Sequence, residues 1–323
     1  MRGGLPILEN ARYAAGVFFF SYLLQGCALV LPQTAQLQET WPAALAESAE
    51  LTQVPFFAQE EFQCGPAALA MTLAFAGADV TPEELVPRVY LPDRHGSLQV
   101  EMLAAPRTYG IATYRIAPRF EDVLREVSAG NPVIVLQDFG VWPFPIWHYA
   151  VVVGFDRTRR EVLLRSRNKP RLAMPFAVLE YTWKPGEHWA MVAVPAGRIP
   201  ATVTEAQAVE AIAAMSRVSN PGAASNGYRA ILDRWPDSLR ASIGLGNALY
   251  AQGDLPRAEA ALRRAAQRHP DSPVVMNNLA HALSDEGRNE EALALIDKAG
   301  ANPGSFAAAI AETRELILRR MGK

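Results

Sequence analysis

The chain has 323 residues, of which 50% are hydrophobic and 20% are charged, so it is long and apolar enough for two packed domains and does not have the composition of a disordered protein. Its 31 Lys and Arg residues nearly balance its 33 Asp and Glu residues, which gives a net charge of -2. Without a basic excess, the chain lacks the charge that drives binding to phosphate backbones. We therefore expect no nucleic-acid partner.

The first 26 residues have the composition of an export signal. Arg2 and Arg12 mark a short basic region before an apolar run, 14–24, which is shorter than the roughly 20 residues that a helix needs to cross a bilayer. The run leads into the sequence LQGC, which ends at Cys27 and resembles the lipobox of bacterial lipoproteins. In those proteins the cysteine is lipidated and becomes the mature N-terminus. An uncleaved membrane anchor and an ordinary secretory signal share these features and stay open as alternatives.

The lipobox resemblance implies attachment at Cys27 on the periplasmic side of the bacterial outer membrane. An Asp directly after the cysteine resembles a signal for retention in the inner membrane, and here Ala28 occupies that position. We predict a signal peptide over 1–26 and a tether over 27–51, whose Pro, Gln and Ala residues show no sustained period. The only other cysteine is Cys64, and lipidation of Cys27 leaves it no intramolecular partner. The sequence thus predicts a free thiol and no disulfide framework.

Residues 52–196 mix helical and strand patterns, which indicates an α+β domain with an antiparallel sheet. Cys64 and the Gly-Pro pair after it open an apolar helix, 67–76, which Gly77 ends. Runs of β-branched and aromatic residues predict strands at 132–136, 148–153, 161–164 and 189–194. We expect these strands to form a meander.

Residues 197–323 are predicted to form an all-α domain. Four residue pairs are each 34 positions apart: Pro236 and Pro270, Ala248 and Ala282, Gly253 and Gly287, Ala258 and Ala292. This period resembles tetratricopeptide repeats, which are helix-turn-helix units of that length. A degenerate third unit is predicted over 206–235 and a capping helix over 306–321, with a plain helical bundle as the alternative. The resemblance implies a protein partner bound through the concave face of the repeats.

Cys64 and His148 have the pattern of a thiol nucleophile and its base. A helix N-terminus and a nearby imidazole both favour the reactive thiolate. Gln59 lies five residues before Cys64, close enough for its amide to join the Cys64 backbone N–H in stabilising an oxyanion. The alternative is a packed apolar thiol and a histidine of the core.

Three sequence blocks carry a resemblance to a known family: VPFFAQ at 54–59, QCGPAAL at 63–69 and HYAVVVG at 148–154. They resemble the bacteriocin-processing peptidases, papain-like cysteine peptidases that remove leader peptides after a Gly-Gly pair. The resemblance covers residues 52–195 and implies a papain-like fold with cysteine peptidase activity.

Carried over residue by residue, the resemblance implies that Cys64 is the nucleophile, His148 the general base and acid, and Gln59 the oxyanion donor. The family has an Asp or Asn about sixteen residues after the histidine to orient the imidazole. Here that residue is missing, and the third member is left open between Ser166 and Asn168.

An aromatic stretch precedes the predicted base. Trp142, Phe144 and Trp147 alternate with two prolines just before His148. Rigid aromatic side chains suit the wall of a substrate cleft, and that is our hypothesis for this loop. Burial of the tryptophans is the alternative.

The sequence therefore predicts an exported, lipid-anchored cysteine peptidase that hydrolyses an exported peptide or protein, with the repeats recruiting substrate or partner. Two alternatives stay open: an inactive peptidase-like protein that binds peptides, and an amidase that acts on cell-wall peptides with the same Cys-His pair. The sequence contains neither a metal-ligand cluster nor a Gly-x-x-x-x-Gly-Lys loop. We accordingly expect no metal and no other cofactor.

Overall fold

The computed structural model describes residues 31–59, 62–219 and 221–323. The predicted signal peptide and Cys27 lie outside these residues. In the described ranges the chain forms one sheet with helices on both faces, followed by a series of paired helices. None of the helices in those ranges combines the length and the apolar composition that a bilayer crossing requires.

Within the described residues, seven strands form the sheet: β1 (Ser48–Glu50), β2 (Ile111–Arg115), β3 (Val133–Asp138), β4 (Trp147–Asp156), β5 (Glu161–Ser166), β6 (Lys169–Pro175) and β7 (Ala190–Pro195). Their order is β2-β7-β3-β4-β5-β6, and β1 pairs with the end of β4. Every pairing is antiparallel. The predicted α+β fold with an antiparallel sheet is confirmed.

Six helices flank the sheet in the described part of the chain: α1 (Pro32–Glu39), α2 (Cys64–Phe75), α3 (Pro82–Val89), α4 (Gln99–Ala104), α5 (Phe120–Ser128) and α6 (Phe176–Trp183). The α2 helix packs on the face that carries Ile134, Val151 and Met191. The α5 and α6 helices cover the opposite face. The two apolar layers bury the sheet on both sides.

The predicted meander describes β3 to β6 and is wrong for β7. After β6, α6 carries the chain back across the sheet, and β7 enters between β2 and β3. Burial explains this position: β7 is buried from Ala190 to Val194, whereas β6 is mostly exposed. A strand that is apolar on both faces belongs in the middle of a sheet, and the more polar strand forms its edge.

The predicted tether is wrong for its described part, because α1 and β1 belong to the folded domain. The buried Glu180 carboxylate on α6 accepts hydrogen bonds from the backbone N–H groups of Gln33 (3.0 Å) and Thr34 (2.6 Å). N–H groups in the first turn of a helix have no partner within the helix, so a carboxylate that accepts from them stabilises the helix end. Ser48 pairs with Asp156 at the start of β1.

One edge of the sheet holds the ends of β2, β3 and β5 and the beginnings of β4 and β7. Asp138 at the end of β3 pairs with Trp147 at the start of β4, and Arg115 at the end of β2 pairs with Met191 near the start of β7. Ser166 ends β5 at the same edge. We call this the site edge.

The remaining described helices are α7 (Glu205–Ser216), α8 (Pro221–Arg234), α9 (Leu239–Ala251), α10 (Leu255–Arg268), α11 (Pro273–Asp285), α12 (Asn289–Gly300) and α13 (Ala307–Arg320). Gly253 and Gly287, predicted as a repeat pair, both have positive φ (75° and 81°) directly after α9 and α11. That conformation ends a helix and favours glycine. Ala258 and Ala292 are buried where the helices pack.

The junction between the two regions is anchored. The buried Glu126 carboxylate on α5 accepts hydrogen bonds from the backbone N–H groups of Ala201 (3.2 Å) and Thr202 (2.7 Å). The apolar core of the sheet continues into α7, α8 and α9 through Ile212 and Tyr228. The predicted boundary near residue 197 therefore falls in a short connection that Glu126 holds against α5.

Candidate active site

Cys64 is the first residue of α2, a helix that the sequence makes almost entirely apolar. Residues 67–73 of this helix are buried against the sheet, so the position of its N-terminus is rigidly set. Gly65 permits a close approach at the next position, because a Cβ atom there would lie 2.3 Å from Ser97 Oγ. The thiol itself is only partly buried.

Two opposing influences act on the Cys64 sulfur. Burial raises the pKa of the thiol above its ordinary value. Hydrogen bonds from the backbone N–H groups of Tyr149, Gly65 and Cys64 itself, together with the charge of Arg167, act in the other direction without cancelling the rise. The resting group is accordingly a thiol at neutral pH, and a base must remove its proton before attack.

His148 lies near the start of β4 at the site edge, and its ring is held by Ser166. The Nε2 atom is 2.8 Å from Ser166 Oγ, and the two side chains are only 5% and 4% exposed. Because Nε2 is engaged, Nδ1 is the ring nitrogen left for proton transfer. Of the two candidates for the orienting residue, Ser166 is thus the one that contacts the imidazole.

Asn168 lies in the two-residue turn between β5 and β6, where it is exposed and lines the cleft described below. Arg167, the other residue of this turn, has a φ of 52°. The turn brings the Arg167 guanidinium over the Phe139 ring, 5.6 Å from the centroid, and Phe139 in turn contacts the His148 ring.

Burial lowers the pKa of His148 to about 4, and the positive charge of Arg167 contributes to the same shift. The imidazole is therefore neutral at pH 7 and can accept a proton. Asp156, at the far end of β4, is bonded to the backbone of Arg159 and does not approach the ring.

Gln59 is fixed on three sides. Its backbone N–H donates to the Arg167 carbonyl (3.1 Å), its Oε1 accepts from the Arg167 N–H (2.9 Å), and its Nε2 donates to the Tyr149 carbonyl (3.4 Å). The bond to Oε1 sets the orientation of the amide, so that Nε2 is the atom on the Tyr149 side. One Nε2–H remains for a ligand in the cleft.

A cleft of about 1000 Å³ runs along the site edge, and Gln59, Cys64 and His148 all line it. Arg94 to Gln99 form one side, and Pro145 to Tyr149 form another. Arg167 was not singled out from the sequence, yet it lines the cleft and influences the pKa of both Cys64 and His148. Its place in the hairpin turn between Ser166 and Asn168 is the sequence feature that could have indicated it.

Family models match most of the described chain. Residues 51–175 match the peptidase C39-like family, and residues 210–273 and 249–311 match two tetratricopeptide-repeat models. Residues 51–175 are a peptidase C39-like domain. Tetratricopeptide repeats follow it, so both predicted families are confirmed. No curated protein matches the sequence.

The solved structures with similarity to parts of the chain include proteins from two bacteria. A Bacillus anthracis protein described as a C39-like peptidase is 19% identical with a TM-score of 0.39, over 46% of this chain and 98% of that chain. The Yersinia enterocolitica type III secretion translocator chaperone SycD is 18% identical with a TM-score of 0.34, over 36% and 86%. Its complex with a peptide of the translocator YopD gives 19% identity and a TM-score of 0.33, over 36% and 93%.

The C39-like domain carries the aromatic stretch of the sequence as a surface loop, residues 139–146, which we call the aromatic loop. Trp142 is 96% exposed, Phe144 74% and Trp147 47%, so the alternative of buried tryptophans is wrong. Pro145, Ile146 and Trp147 line the cleft, whereas Trp142 and Phe144 do not. The cleft wall is thus formed by the second half of this stretch.

Proposed function

We propose that the chain is an exported, lipid-anchored cysteine peptidase that cleaves peptide bonds of an exported peptide or protein. The observation that carries this proposal is the shared cleft: Cys64 at a helix N-terminus and His148, held by Ser166, face the same 1000 Å³ space beside Gln59. The match of residues 51–175 to the C39-like family supports the same chemistry.

In the proposed reaction, His148 Nδ1 takes the proton of the Cys64 thiol as the sulfur attacks the carbonyl carbon of the substrate. The developing oxyanion accepts hydrogen bonds from Gln59 Nε2 and from the Cys64 backbone N–H. His148 then gives its proton to the leaving amine, the C–N bond breaks, and a thioester remains on Cys64. Water attacks the thioester with His148 as base, which releases the acid and restores the thiol.

Ser166 takes the place of the family's acidic or amide orienter. In this proposal the imidazole is the tautomer whose Nε2–H donates to the Ser166 hydroxyl, 2.8 Å away, which leaves the lone pair on Nδ1. A hydroxyl carries no charge, so it fixes the ring without stabilising an imidazolium as a carboxylate does. This agrees with the low pKa of His148 and with a thiol that is deprotonated only during the reaction.

The repeats, in this proposal, recruit the substrate or a partner protein. Stacked helix pairs form extended surfaces that suit protein ligands. Because Glu126 fixes the start of this region against α5, a bound protein is held at a constant place relative to the C39-like domain. Attachment through Cys27 keeps the enzyme at the outer membrane, and mutation of Cys27→Ser with labelled fatty acid tests that part separately.

Labelling with an electrophilic peptide probe tests catalysis. The reduced wild-type protein is expected to form one adduct at Cys64, none in Cys64→Ala, and much less in His148→Ala. Gln59→Ala is expected to bind the probe peptide normally and to cleave about 100- to 1000-fold more slowly, as for loss of one oxyanion donor. A folded wild-type protein that neither reacts nor cleaves any member of a peptide library contradicts the proposal.

A second candidate, a peptide-binding protein without turnover, is favoured by one observation: burial raises the pKa of the Cys64 thiol. In that case peptides bind in the cleft with equal affinity to wild type and Cys64→Ala, and no product appears. Purified cell-wall peptides belong in the same assay, because an amidase uses the same pair of residues.

A further inference from the structure

The aromatic loop is an ordered structure. The Asp138 carboxylate accepts hydrogen bonds from the backbone N–H groups of Gly140 (2.8 Å) and Ile146 (2.7 Å), and the Phe144 N–H donates to the Val141 carbonyl (2.6 Å). A carboxylate at the base and a turn at the tip hold the backbone in one shape. The side chains of the tip are therefore held on the surface by a hydrogen-bonded backbone.

The tip of this loop is unusually apolar for an exposed surface. Val141 is 76% exposed, Trp142 96%, Phe144 74% and Ile146 56%, and no described residue covers them. Contiguous exposed apolar side chains mark a surface that binds something. Tryptophan and phenylalanine in such a cluster are typical of surfaces that enter the interface of a membrane.

The N-terminus of the described chain lies at the same edge of the sheet as the aromatic loop. Gln33 in α1 bonds to the Pro118 carbonyl (3.3 Å) and to the Phe120 N–H (2.5 Å), and these residues follow directly on the end of β2. That end of β2 is part of the site edge, where the aromatic loop connects β3 to β4. Both features therefore lie on one side of the domain.

The sequence places the proposed lipid attachment close to that point. Cys27 lies four residues before Leu31, a separation that spans at most about 14 Å. A bilayer that holds a lipid on Cys27 is therefore within reach of the site edge. The Arg167 guanidinium lies over Phe139 at the base of the loop, and its positive charge favours contact with the phosphate groups of lipid headgroups.

We propose that the aromatic loop inserts Trp142 and Phe144 into the surface of the lipid bilayer to which the lipid on Cys27 attaches the chain. The inference rests on the membrane attachment in the proposed function and goes beyond it, because it orients the enzyme. Pro145 to Trp147, which continue from the same loop, line the cleft. The cleft therefore opens next to the bilayer and receives peptide segments that emerge from or lie along it.

Fluorescence of Trp142 in vesicles tests the inference with the full chain. The protein is reconstituted in phosphatidylethanolamine–phosphatidylglycerol vesicles, and flotation checks the attachment. The signal of Trp142 is obtained as the difference between wild type and Trp142→Phe. It is quenched with acrylamide from the water and, in a parallel sample, with lipids brominated near the top of the acyl chains.

The docked loop lies about 5–10 Å deep at the headgroup–acyl boundary, so the Trp142 signal is expected to be protected from acrylamide and quenched by bromolipid. The matched control is the difference signal of Trp235→Phe in the repeats, which bromolipid is expected to leave unchanged. Trp142 is exposed, so its replacement does not disturb the core.

The other outcomes overturn the inference in distinguishable ways. A chain that floats while Trp142 stays open to acrylamide and insensitive to bromolipid refutes docking and leaves the attachment intact. Protection from both quenchers means that protein, such as a second copy of the chain, covers the loop. A chain that does not float refutes the attachment, and the docking with it.

Discussion

Ser166→Ala tests whether a neutral hydroxyl orients the base of this site. The change removes the 2.8 Å partner of His148 Nε2 in a place where both side chains are buried. An unsatisfied buried polar group costs about 1–3 kcal/mol. If the whole loss falls on the transition state, kcat/KM drops about 5- to 150-fold. The same loss in the ground state appears as a lower free energy of unfolding.

The assay compares kcat/KM on one cleaved peptide with urea unfolding of each variant. Ser225→Ala, which removes another buried serine hydroxyl far along the chain on α8, is the matched control and is expected to leave kcat/KM unchanged. Ser166→Asp restores a carboxylate beside the imidazole. It is expected to raise the pKa of His148 and to move the acid limb of the pH–rate profile upward.

An orienting role for Ser166 is refuted if Ser166→Ala cleaves as fast as wild type with the same pH profile. It is equally refuted if Asn168→Ala abolishes turnover while Ser166→Ala does not, because Asn168 is then the orienting residue.

Three further predictions concern the protons and the packing at the site. The pKa of His148 falls from 6.5 to about 4 on folding, so its contribution to the free energy of unfolding is present above pH 6.5 and is lost as the pH falls toward 4. The loss amounts to about 3 kcal/mol. Urea unfolding is expected to show this loss in wild type and not in His148→Gln. Since burial raises the pKa of Cys64, alkylation by iodoacetamide is expected to accelerate only at alkaline pH, and a fast plateau between pH 5 and 8 contradicts this. Gly65→Ala puts a Cβ atom 2.3 Å from Ser97 Oγ and is expected to lower the free energy of unfolding by about 1–3 kcal/mol. Gly197→Ala, with open space around it, is the control and is expected to be neutral. Equal stability of the two variants refutes the tight contact.

Local signals in the sequence were sufficient to place the main groups of the site. Cys64 starts an apolar helix that ends before Gly77, and His148 lies near the start of an apolar strand; both patterns are determined by residues close in the chain. The 34-residue period predicted Gly253 and Gly287 as equivalent positions, and both end a helix with positive φ.

Long-range contacts account for what the sequence did not show. The polar run before the sheet looked like a tether because Gln33 and Thr34 find their partner, Glu180, almost 150 residues later. In the same way, the choice between Ser166 and Asn168, which are two positions apart, depends on where β5 ends and the hairpin turn begins. Neither feature has a local pattern that reveals it.

The strands of the C39-like domain do not by themselves determine the lining of the cleft. Loops supply much of it: Gln59 is fixed by the turn residue Arg167, and Pro145 and Ile146 of the aromatic loop form part of the wall. Loops on a rigid scaffold are where function varies most within a fold. The properties of this cleft therefore depend on these loops more than on the strands that carry them.

Rapid acid quenching of wild-type protein during turnover, followed by mass mapping, tests the central claim most directly. The account predicts a thioester of the substrate's acyl fragment on the peptide that contains Cys64, formed in wild type and absent in His148→Ala. Product released with no acyl group on Cys64, or the same adduct level without the imidazole, contradicts it.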